Sequence, residues 1–277
     1  RLREHHALRH DVRCDIAQRF AGGHFLHAHT GSSIASADVV HVHDWQAALI
    51  PLFLKTHYRD RKEFAKARTL LTIHNLGYQG LFPPDDMRLL GLGWDYFTFD
   101  KLEFWGKLNY LKAGIVYADA INTVSKKYAE EILTEEFGCG LQGALAARKG
   151  DLFGILNGID YEEWNPETDA FIPQRFSPAK MEGKEACKRA LQKRFGLSER
   201  PKVPLVGIVG RLTVQKGFDI VAEAMPELVE GGVQFAILGT GEKKYEELLA
   251  QAAKDHPDFV GLELAYDNAL AHQIEAG

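Results

Sequence analysis

Cysteine is scarce in this sequence. Its 277 residues contain three cysteines, Cys14, Cys139 and Cys187. They are far apart, odd in number and without C-x-x-C spacing, which argues against a disulfide framework and against a zinc ribbon. We therefore expect a protein of a reducing compartment, the cytoplasm.

An excess of positive charge and a long apolar run are also missing. The formal net charge is −5, which gives no electrostatic footprint for DNA, RNA or an anionic membrane surface, although a local basic cluster could still hold a phosphate. No uninterrupted apolar segment reaches the roughly 18 residues that a membrane-spanning helix needs. The start, RLREHHALRH, has neither an initiator methionine nor the apolar core of a signal peptide. We expect no nucleic-acid partner and no membrane partner.

The residues that are present predict an α/β protein. Hydrophobic residues make up 45% of the chain, enough for a large core and more natural for two domains than for one. Short apolar runs alternate with longer amphipathic stretches, as in parallel sheets covered by helices. The predicted strands are DVVHV, TLLTI, DAINTV, LFGIL, PLVGIV and QFAIL.

Several helices follow from the same pattern. Ser125 is a candidate N-cap for a helix after DAINTV, and one clear helix is expected around residues 182–195. The segment after QFAIL predicts a helix with an exposed Lys243–Glu247 pair. In the helix that follows PLVGIV, we expect Pro226 to introduce a kink or an early end.

Polar or glycine residues follow five of the predicted strands. Ligands of open α/β sheets bind beyond the carboxyl ends of the strands, so these positions predict a ligand cleft, although any single one is more often an ordinary turn residue. The five pairs are His43 and Asp44, His74 and Asn75, Asn157 and Gly158, Gly210 and Arg211, and Gly239 and Gly241.

The stretch VGIVGRLTVQKGFD, residues 206–219, predicts an anion site. Gly210 lets the backbone approach a ligand, and Arg211 and Lys216 together suit a diphosphate. The alternative is that both cations are solvated loop charges. The later GTG segment favours binding, because free backbone N–H groups near a helix start attract anions. It is not a dinucleotide fingerprint, since Lys244 stands where the last glycine would be, and G-K-[ST] is absent.

Alternating histidines, HAH at 27–29 and HVH at 41–43, raise the possibility of a metal site. Alternate residues of a strand share a face, so each pair could supply two ligands. No carboxylate or cysteine cluster completes either site. We therefore expect no metal.

Five segments together give the chain a resemblance to bacterial glycogen synthase and plant starch synthase. They are DVVHVHDWQAALIPLFLK, TIHNLGYQGLFP, LKAGIVYADAINTVSKKYAEEI, GILNGIDYEEWNPETD and GRLTVQKGFD. The resemblance runs from about Ala37 to the C-terminus. It implies a GT-B fold, with two Rossmann-like domains facing a cleft. It also implies transfer of glucose from ADP-glucose to the non-reducing end of an α-1,4-glucan, with retention of anomeric configuration and without a metal or other cofactor.

The resemblance also implies roles for individual residues. Arg211 and Lys216, with Gln215 beside them, match the residues that hold the donor diphosphate. Asp44 and His74 match residues around the donor glucose and the acceptor. The candidate catalytic residues are Asp44, His74, Arg211 and Lys216. The candidate substrate-binding residues are Asn157 at the cleft, Gln215, and Tyr266 near the adenine, together with Asn75, Gly239 and Gly241 from the strand ends.

The family pattern extends beyond this sequence. Its glycine-rich K-x-G-G-L loop and its later E-x7-E segment are absent here, and residues 1–36 match nothing recognisable. We expect an internal fragment, inactive alone, with a partial first domain at 1–157, a linker at 158–180 and a partial second domain at 181–277. The location would be the cytoplasm, or the plastid in a plant.

Two other functions are compatible with the sequence. One is a GT-B glycosyltransferase that uses a nucleotide sugar on a small acceptor, and the other is a non-catalytic fragment that binds nucleotide or glucan. The TIHNLGYQG and GILNGIDYEEWNPETD segments favour the glucan synthase over the first alternative.

Overall fold

The computed structural model describes residues 37–277 and divides the chain into two compact units. The first unit ends at Gly158 and the second comprises Ile159–Gly277. Each has its own parallel sheet and its own buried core. Within residues 37–277, no helix is long and apolar enough to cross a membrane.

Among the described residues, the main sheet of the first unit has four parallel strands in the order β1-β2-β6-β7. They are β1 Val39–His43, β2 Arg68–Ile73, β6 Ala120–Thr123 and β7 Leu152–Gly154. All four lie in apolar runs from which strands were predicted. Leu71, Ile73 and Ile121 of the two central strands are fully buried, because helices cover both faces of a parallel sheet.

In the described part of the first unit, residues 37–158, the structure has six helices: α1 Asp44–Ala47, α2 Leu49–Lys55, α3 Met87–Leu90, α4 Tyr110–Tyr117, α5 Lys126–Glu131 and α6 Gln142–Ala146. The predicted N-cap is confirmed, since the Ser125 side chain accepts a hydrogen bond from the Tyr128 N–H. Asn109 caps α4 in the same way, accepting from the Lys112 N–H. Leu111 and Ile115 of α4 are fully buried in the core.

A small antiparallel sheet was not predicted from the sequence. Its strands are β3 Leu81–Phe82, β4 Glu103–Phe104 and β5 Lys107–Asn109, in the order β3-β5-β4. Strands of two or three residues are too short to show the alternation that identifies a strand. The Lys112 ammonium lies below this sheet and donates to the carbonyl oxygens of Glu103, at 2.6 Å, and Phe99.

The second unit has a parallel sheet in the order β10-β9-β8. The strands are β8 Leu205–Val209, β9 Gln234–Leu238 and β10 Val260–Glu263, and the helices are α7 Glu182–Arg194, α8 Phe218–Glu230, α9 Lys243–Asp255 and α10 Asn268–Ala276. Every residue of the central strand β9 is buried. The sequence predicted α7, α8 and α9 but neither β10 nor α10.

Two details of these helices test the sequence reasoning. The expected pair is present on α9, with Lys243 Nζ 3.4 Å from Glu247 Oε1. Pro226 does not end α8 early, because the helix continues through it to Glu230. Short 3₁₀ turns complete the described elements at Lys62–Phe64, Pro84–Asp86, Trp94–Tyr96, Lys149–Asp151 and Val214–Lys216.

The segment that opens the second unit is anchored on α10 by a buried hydrogen-bonded pair. Nδ1 of His272 lies 2.7 Å from Oδ2 of Asp169, and the two side chains are 1% and 7% exposed. The Trp164 ring stacks on His272 with centroids 3.9 Å apart and planes 4° apart. Buried side chains therefore hold a segment that has little regular secondary structure.

Candidate active site

In the first unit, the site residues lie where β1 and β2 end side by side. His43 at the end of β1 is in register with Thr72 of β2, so the residues that follow each strand are neighbours. Oδ1 of Asp44 accepts a hydrogen bond of 2.7 Å from the backbone N–H of His74. The structure thus brings together two residues that the sequence placed 30 positions apart.

Asp44 has a strained backbone. Its φ of 52° is in the left-handed region, although it is not glycine. For an L-residue that conformation costs roughly 1–2 kcal/mol, and it is most often tolerated by Asp and Asn. Strain of this kind persists where the surroundings enforce it, and it is frequent at functional sites. Here the hydrogen bond to His74 holds the carboxylate in place.

A row of histidines continues from Asp44 along the strand ends. His43 Nδ1 lies 3.0 Å from His74 Nε2, and the His41 and His43 ring centroids are 4.3 Å apart. His41 Nε2 in turn lies 2.6 Å from the Thr72 hydroxyl, which donates to Asn122 Oδ1 at 2.6 Å. Polar side chains therefore link three adjacent strands near their carboxyl ends.

A cavity of about 360 Å³ opens beside these residues, lined by Asp44, Trp45, Gln46, Asn75 and Tyr78. It combines a carboxylate, two amides, an indole and a phenol, which suits a polar molecule with an apolar face, such as a sugar ring. The sequence reasoning found Asp44 and Asn75 but missed the other three. Trp45 in HDWQ and Tyr78 in NLGYQG follow predicted strands and could have been considered. An aromatic residue, however, is more often part of the core.

The loop that carries His74 and Asn75 is held by hydrogen bonds to other parts of the first unit. The backbone N–H of Leu76 donates to the Tyr128 hydroxyl at 3.1 Å. Gln79, which is buried, donates to the Cys139 carbonyl at 2.9 Å and accepts from Asn109 at 2.6 Å. Burial raises the pKa of Tyr128 above its ordinary value of 10.0. Asn157 lies outside this cavity, exposed, three residues beyond β7.

In the second unit, the predicted cations follow β8 in an exposed loop. Arg211, Gln215 and Lys216 are all exposed. The loop makes a 3₁₀ turn at Val214–Lys216 and leaves it through Gly217, whose φ of 75° suits glycine. Two cations and an amide are therefore presented to solvent beyond the carboxyl end of a parallel strand.

The loop after β9 packs directly against the loop after β8. The Leu212 N–H donates to the Thr240 carbonyl at 3.0 Å, and the Glu242 N–H donates to the Leu212 carbonyl at 2.8 Å. A Cβ at Gly239 would lie 1.8 Å from the Gly210 carbonyl oxygen, and one at Gly241 would lie 2.2 Å from that of Leu212. Glycine is required at both positions because the two backbones touch.

The expectation of free N–H groups in the GTG segment is wrong. The Gly239 N–H donates to the Glu263 carbonyl at 3.1 Å, and the Gly241 N–H donates to the Glu246 carboxylate at 2.8 Å. Both groups are thus used within the unit, and the two glycines shape the loop rather than offering donors. Tyr266 follows β10 and is 95% exposed.

Residues 37–277 contain no group of three or more His, Cys, Asp or Glu side chains arranged to hold a metal ion. In the HVH pair, His41 contacts Thr72 and His43 contacts His74. The HAH pair lies outside the described residues.

Comparison with known proteins agrees with the resemblance seen in the sequence. Residues 10–147 match the family described as starch synthase catalytic domain. Glycogen synthase from Koribacter versatilis (strain Ellin345) is 48% identical over 263 residues, covering 95% of this chain and 54% of that protein. Glycogen synthase from Geotalea daltonii is 50% identical over 240 residues, covering 87% and 50%.

A solved structure is also similar. The catalytic domain of starch synthase IV from Arabidopsis thaliana, bound to ADP and acarbose, is 34% identical with a TM-score of 0.81, covering 87% of this chain and 50% of that one. The chain spans about half the length of the curated relatives it matches. It has the GT-B type of α/β fold and belongs to the glycogen synthase and starch synthase family.

Proposed function

We propose that the full-length protein transfers glucose from ADP-glucose to the non-reducing end of an α-1,4-glucan, with retention of anomeric configuration. Family membership supports the reaction class. One observation in the molecule supports the proposed binding of the donor diphosphate. Arg211 and Lys216 project into solvent from a loop whose backbone packs against the Gly239–Gly241 loop. Such a rigid platform with two exposed cations is suited to a diphosphate.

Arg211 and Lys216 act on the leaving group. Breaking the bond between glucose and ADP leaves negative charge on the diphosphate while positive charge develops on the sugar. Fixed cations that strengthen their hold as this charge accumulates lower the barrier selectively. Arg211 offers a planar fork to phosphate oxygens, Lys216 adds a compact charge, and Gln215 contributes an amide beside them.

The remaining candidate residues serve the sugars and the base. Asp44 and His74, with Asn75, contact the donor glucose and the acceptor at the first unit's cavity, and Asn157 contributes beyond β7. Gly239 and Gly241 give the nucleotide a smooth backbone surface, and the exposed ring of Tyr266 packs against the adenine. The two cations provide the charge stabilisation at the diphosphate, so no metal ion is required. The reaction takes place in the cytoplasm.

The test is the Lys216→Ala substitution in the full-length enzyme. Loss of a charge that stabilises the transition state should reduce kcat/KM for ADP-glucose by roughly 10²-fold. Glucose incorporation into glycogen measures this. The matched control is Lys243→Ala, which removes an exposed lysine of the same unit whose partner is Glu247. Unchanged kcat and donor KM in the Lys216 variant would contradict the role of this loop.

The donor base and the acceptor are tested separately. ADP-glucose and UDP-glucose compete for the full-length enzyme, and we expect ADP-glucose to be preferred. Transfer to a small acceptor at the rate seen with glycogen would instead favour a glycosyltransferase of a different acceptor class.

A further inference from the structure

His43 directly precedes Asp44 and contacts His74, two of the proposed catalytic residues. It is the last residue of β1 and is only partly exposed. Its Nδ1 lies 3.0 Å from Nε2 of His74, with the ring centroids 5.2 Å apart and the ring planes inclined by 30°, so the two rings meet edge to edge. His43 therefore contacts the part of His74 that can take part in chemistry.

The two contacts on His74 are complementary. The Asp44 carboxylate holds the backbone N–H of His74 at 2.7 Å, and this contact leaves the side-chain torsions undetermined. The His74 side chain is exposed, and an exposed imidazole rotates and exchanges between its two neutral tautomers. The hydrogen bond between the His43 and His74 rings restrains the rotation of the His74 ring and couples its tautomer to that of His43.

His43 Nδ1 and His74 Nε2 face each other, and this contact couples the tautomers of the two rings. At 3.0 Å, one ring nitrogen must carry the hydrogen and the other must present a lone pair. The state of Nε2 in a neutral His74 decides whether Nδ1 is a donor or an acceptor. His43 thus determines which hydrogen bond the free nitrogen of His74 can make with a sugar hydroxyl.

His43 is itself held by the sheet. It pairs with Thr72 of β2 through the backbone register, and its ring lies against His41, whose Nε2 is 2.6 Å from the Thr72 hydroxyl. Thr72 is buried and donates to Asn122 on β6. The support for His74 therefore extends through three strands rather than ending at an exposed loop.

We propose that His43 is a positioning residue that fixes the ring orientation and tautomer of His74 during glucosyl transfer. This inference rests on the proposed function for its catalytic consequence, whereas the effect on His74 itself does not depend on the reaction.

Two substitutions of nearly equal shape test the proposal in the full-length enzyme. In His43→Asn the amide can replace ring Nδ1, whereas His43→Leu removes the hydrogen bond. We expect His43→Leu to lower kcat by about 10-fold, with KM for ADP-glucose within about 2-fold, and His43→Asn to keep kcat within about 3-fold of the parent. Equal loss in both variants, or no loss in either, would overturn the proposal.

A matched control separates positioning from general damage. His57 belongs to the same unit, and its Nε2 hydrogen-bonds the Leu90 carbonyl at 2.8 Å. His57→Leu removes one histidine hydrogen bond away from the cavity and should leave kcat unchanged. If thermal melting shows that His43→Leu is unfolded, His43→Ala takes its place.

A spectroscopic measurement is independent of catalysis. In protein labelled with ¹⁵N-histidine, the ring nitrogen shifts of His74, assigned through His74→Gln, report the tautomer. We expect one tautomer in the parent and in His43→Asn, and a mixture in His43→Leu. The same spectrum in all three would overturn the positioning role. If the parent enzyme instead failed to use ADP-glucose, the proposed function would be wrong while this measurement still decided the role of His43.

Discussion

The two units present site residues at the same place in their sheets but hold them by different means. In the first unit, side chains make the holding contacts: the Asp44 carboxylate accepts from the His74 backbone N–H, and the His43 ring contacts the His74 ring. In the second unit, the loops are held backbone to backbone and the cations extend into solvent. The first arrangement fixes functional groups before a ligand arrives. The second fixes a surface and leaves Arg211 and Lys216 to be ordered by the anion that they meet.

This difference predicts different sensitivities to substitution. A side-chain network tolerates replacements that keep its hydrogen bonds, which is why His43→Asn and His43→Leu should differ. A backbone contact tolerates no added atom, however small. The second unit does have a buried side-chain pair, Asp169 and His272, but it joins the opening segment of the unit to α10 rather than the two loops to each other.

The largest effect is expected from breaking that buried pair. His272→Leu leaves the buried Asp169 side chain without its hydrogen-bond partner and should lower the free energy of unfolding by about 3 kcal/mol. Urea unfolding of the full-length protein measures it. His256→Leu, at an exposed histidine just after α9, is the control and should change stability by less than about 0.5 kcal/mol. Equal effects would show that the pair contributes little.

The next effect is expected from the backbone contact between the two loops. Gly239→Ala places a methyl group 1.8 Å from the Gly210 carbonyl oxygen, so the loops must separate. Overpacking of this kind costs about 2 kcal/mol. An equal loss of binding free energy would make ADP bind the full-length enzyme about 30-fold more weakly. Calorimetric titration measures this. Gly231→Ala, where φ is −68° and the nearest neighbours of a Cβ are at 3.4 Å, should bind ADP normally.

The smallest effect concerns Asp119, which directly precedes β6 at the amino end of that strand. Like Asp44, it makes its contacts through its carboxylate. It accepts from Lys55 Nζ at 2.9 Å and from the Thr69 N–H and hydroxyl at 2.8 Å. Burial alone would raise the pKa of Asp119, but these hydrogen bonds outweigh it and lower the pKa below its ordinary value of 3.8. Asp119→Asn should therefore cost about 1 kcal/mol at pH 7.

The pH dependence gives this prediction its sign. Because the folded state lowers the pKa, the stabilisation is fully present above the unfolded value and is lost as the pH falls through the folded one. The difference between parent and Asp119→Asn should thus shrink below about pH 4. Asp60→Asn, at a side chain 94% exposed, should show no such trend. A difference that grew on acidification would contradict the role of the carboxylate.

Sequence reasoning recovered the parts of the fold that local pattern determines. Each of the six predicted strand runs contains a strand, and Ser125 caps its helix as expected. The antiparallel sheet escaped because Leu81–Phe82 and Glu103–Phe104 are too short to show a period. The helix Asn268–Ala276 escaped as well, although Asp267 at its N-cap was a usable signal.

The site was predictable as positions but not as contacts. Strand ends indicated Asp44, His74 and Arg211, because chain order alone places them at the carboxyl edges of the sheets. The His74 N–H donates to Asp44 and the Gly241 N–H donates to Glu246. Both hydrogen bonds depend on tertiary geometry. Sequence spacing carries no information on which donor meets which acceptor across 30 residues.

The stacking of Trp164 on His272 gives the second unit an optical reporter of its own. The sequence has four tryptophans, and Trp45, Trp94 and Trp105 all belong to the first unit, so Trp164 alone emits from the second. The His272 imidazole lies face to face with the Trp164 indole at 3.9 Å, a contact that we expect to quench the emission of Trp164. With the other three tryptophans replaced by phenylalanine, the protein should brighten when the opening segment detaches, and fluorescence would follow that event separately from unfolding of the first unit.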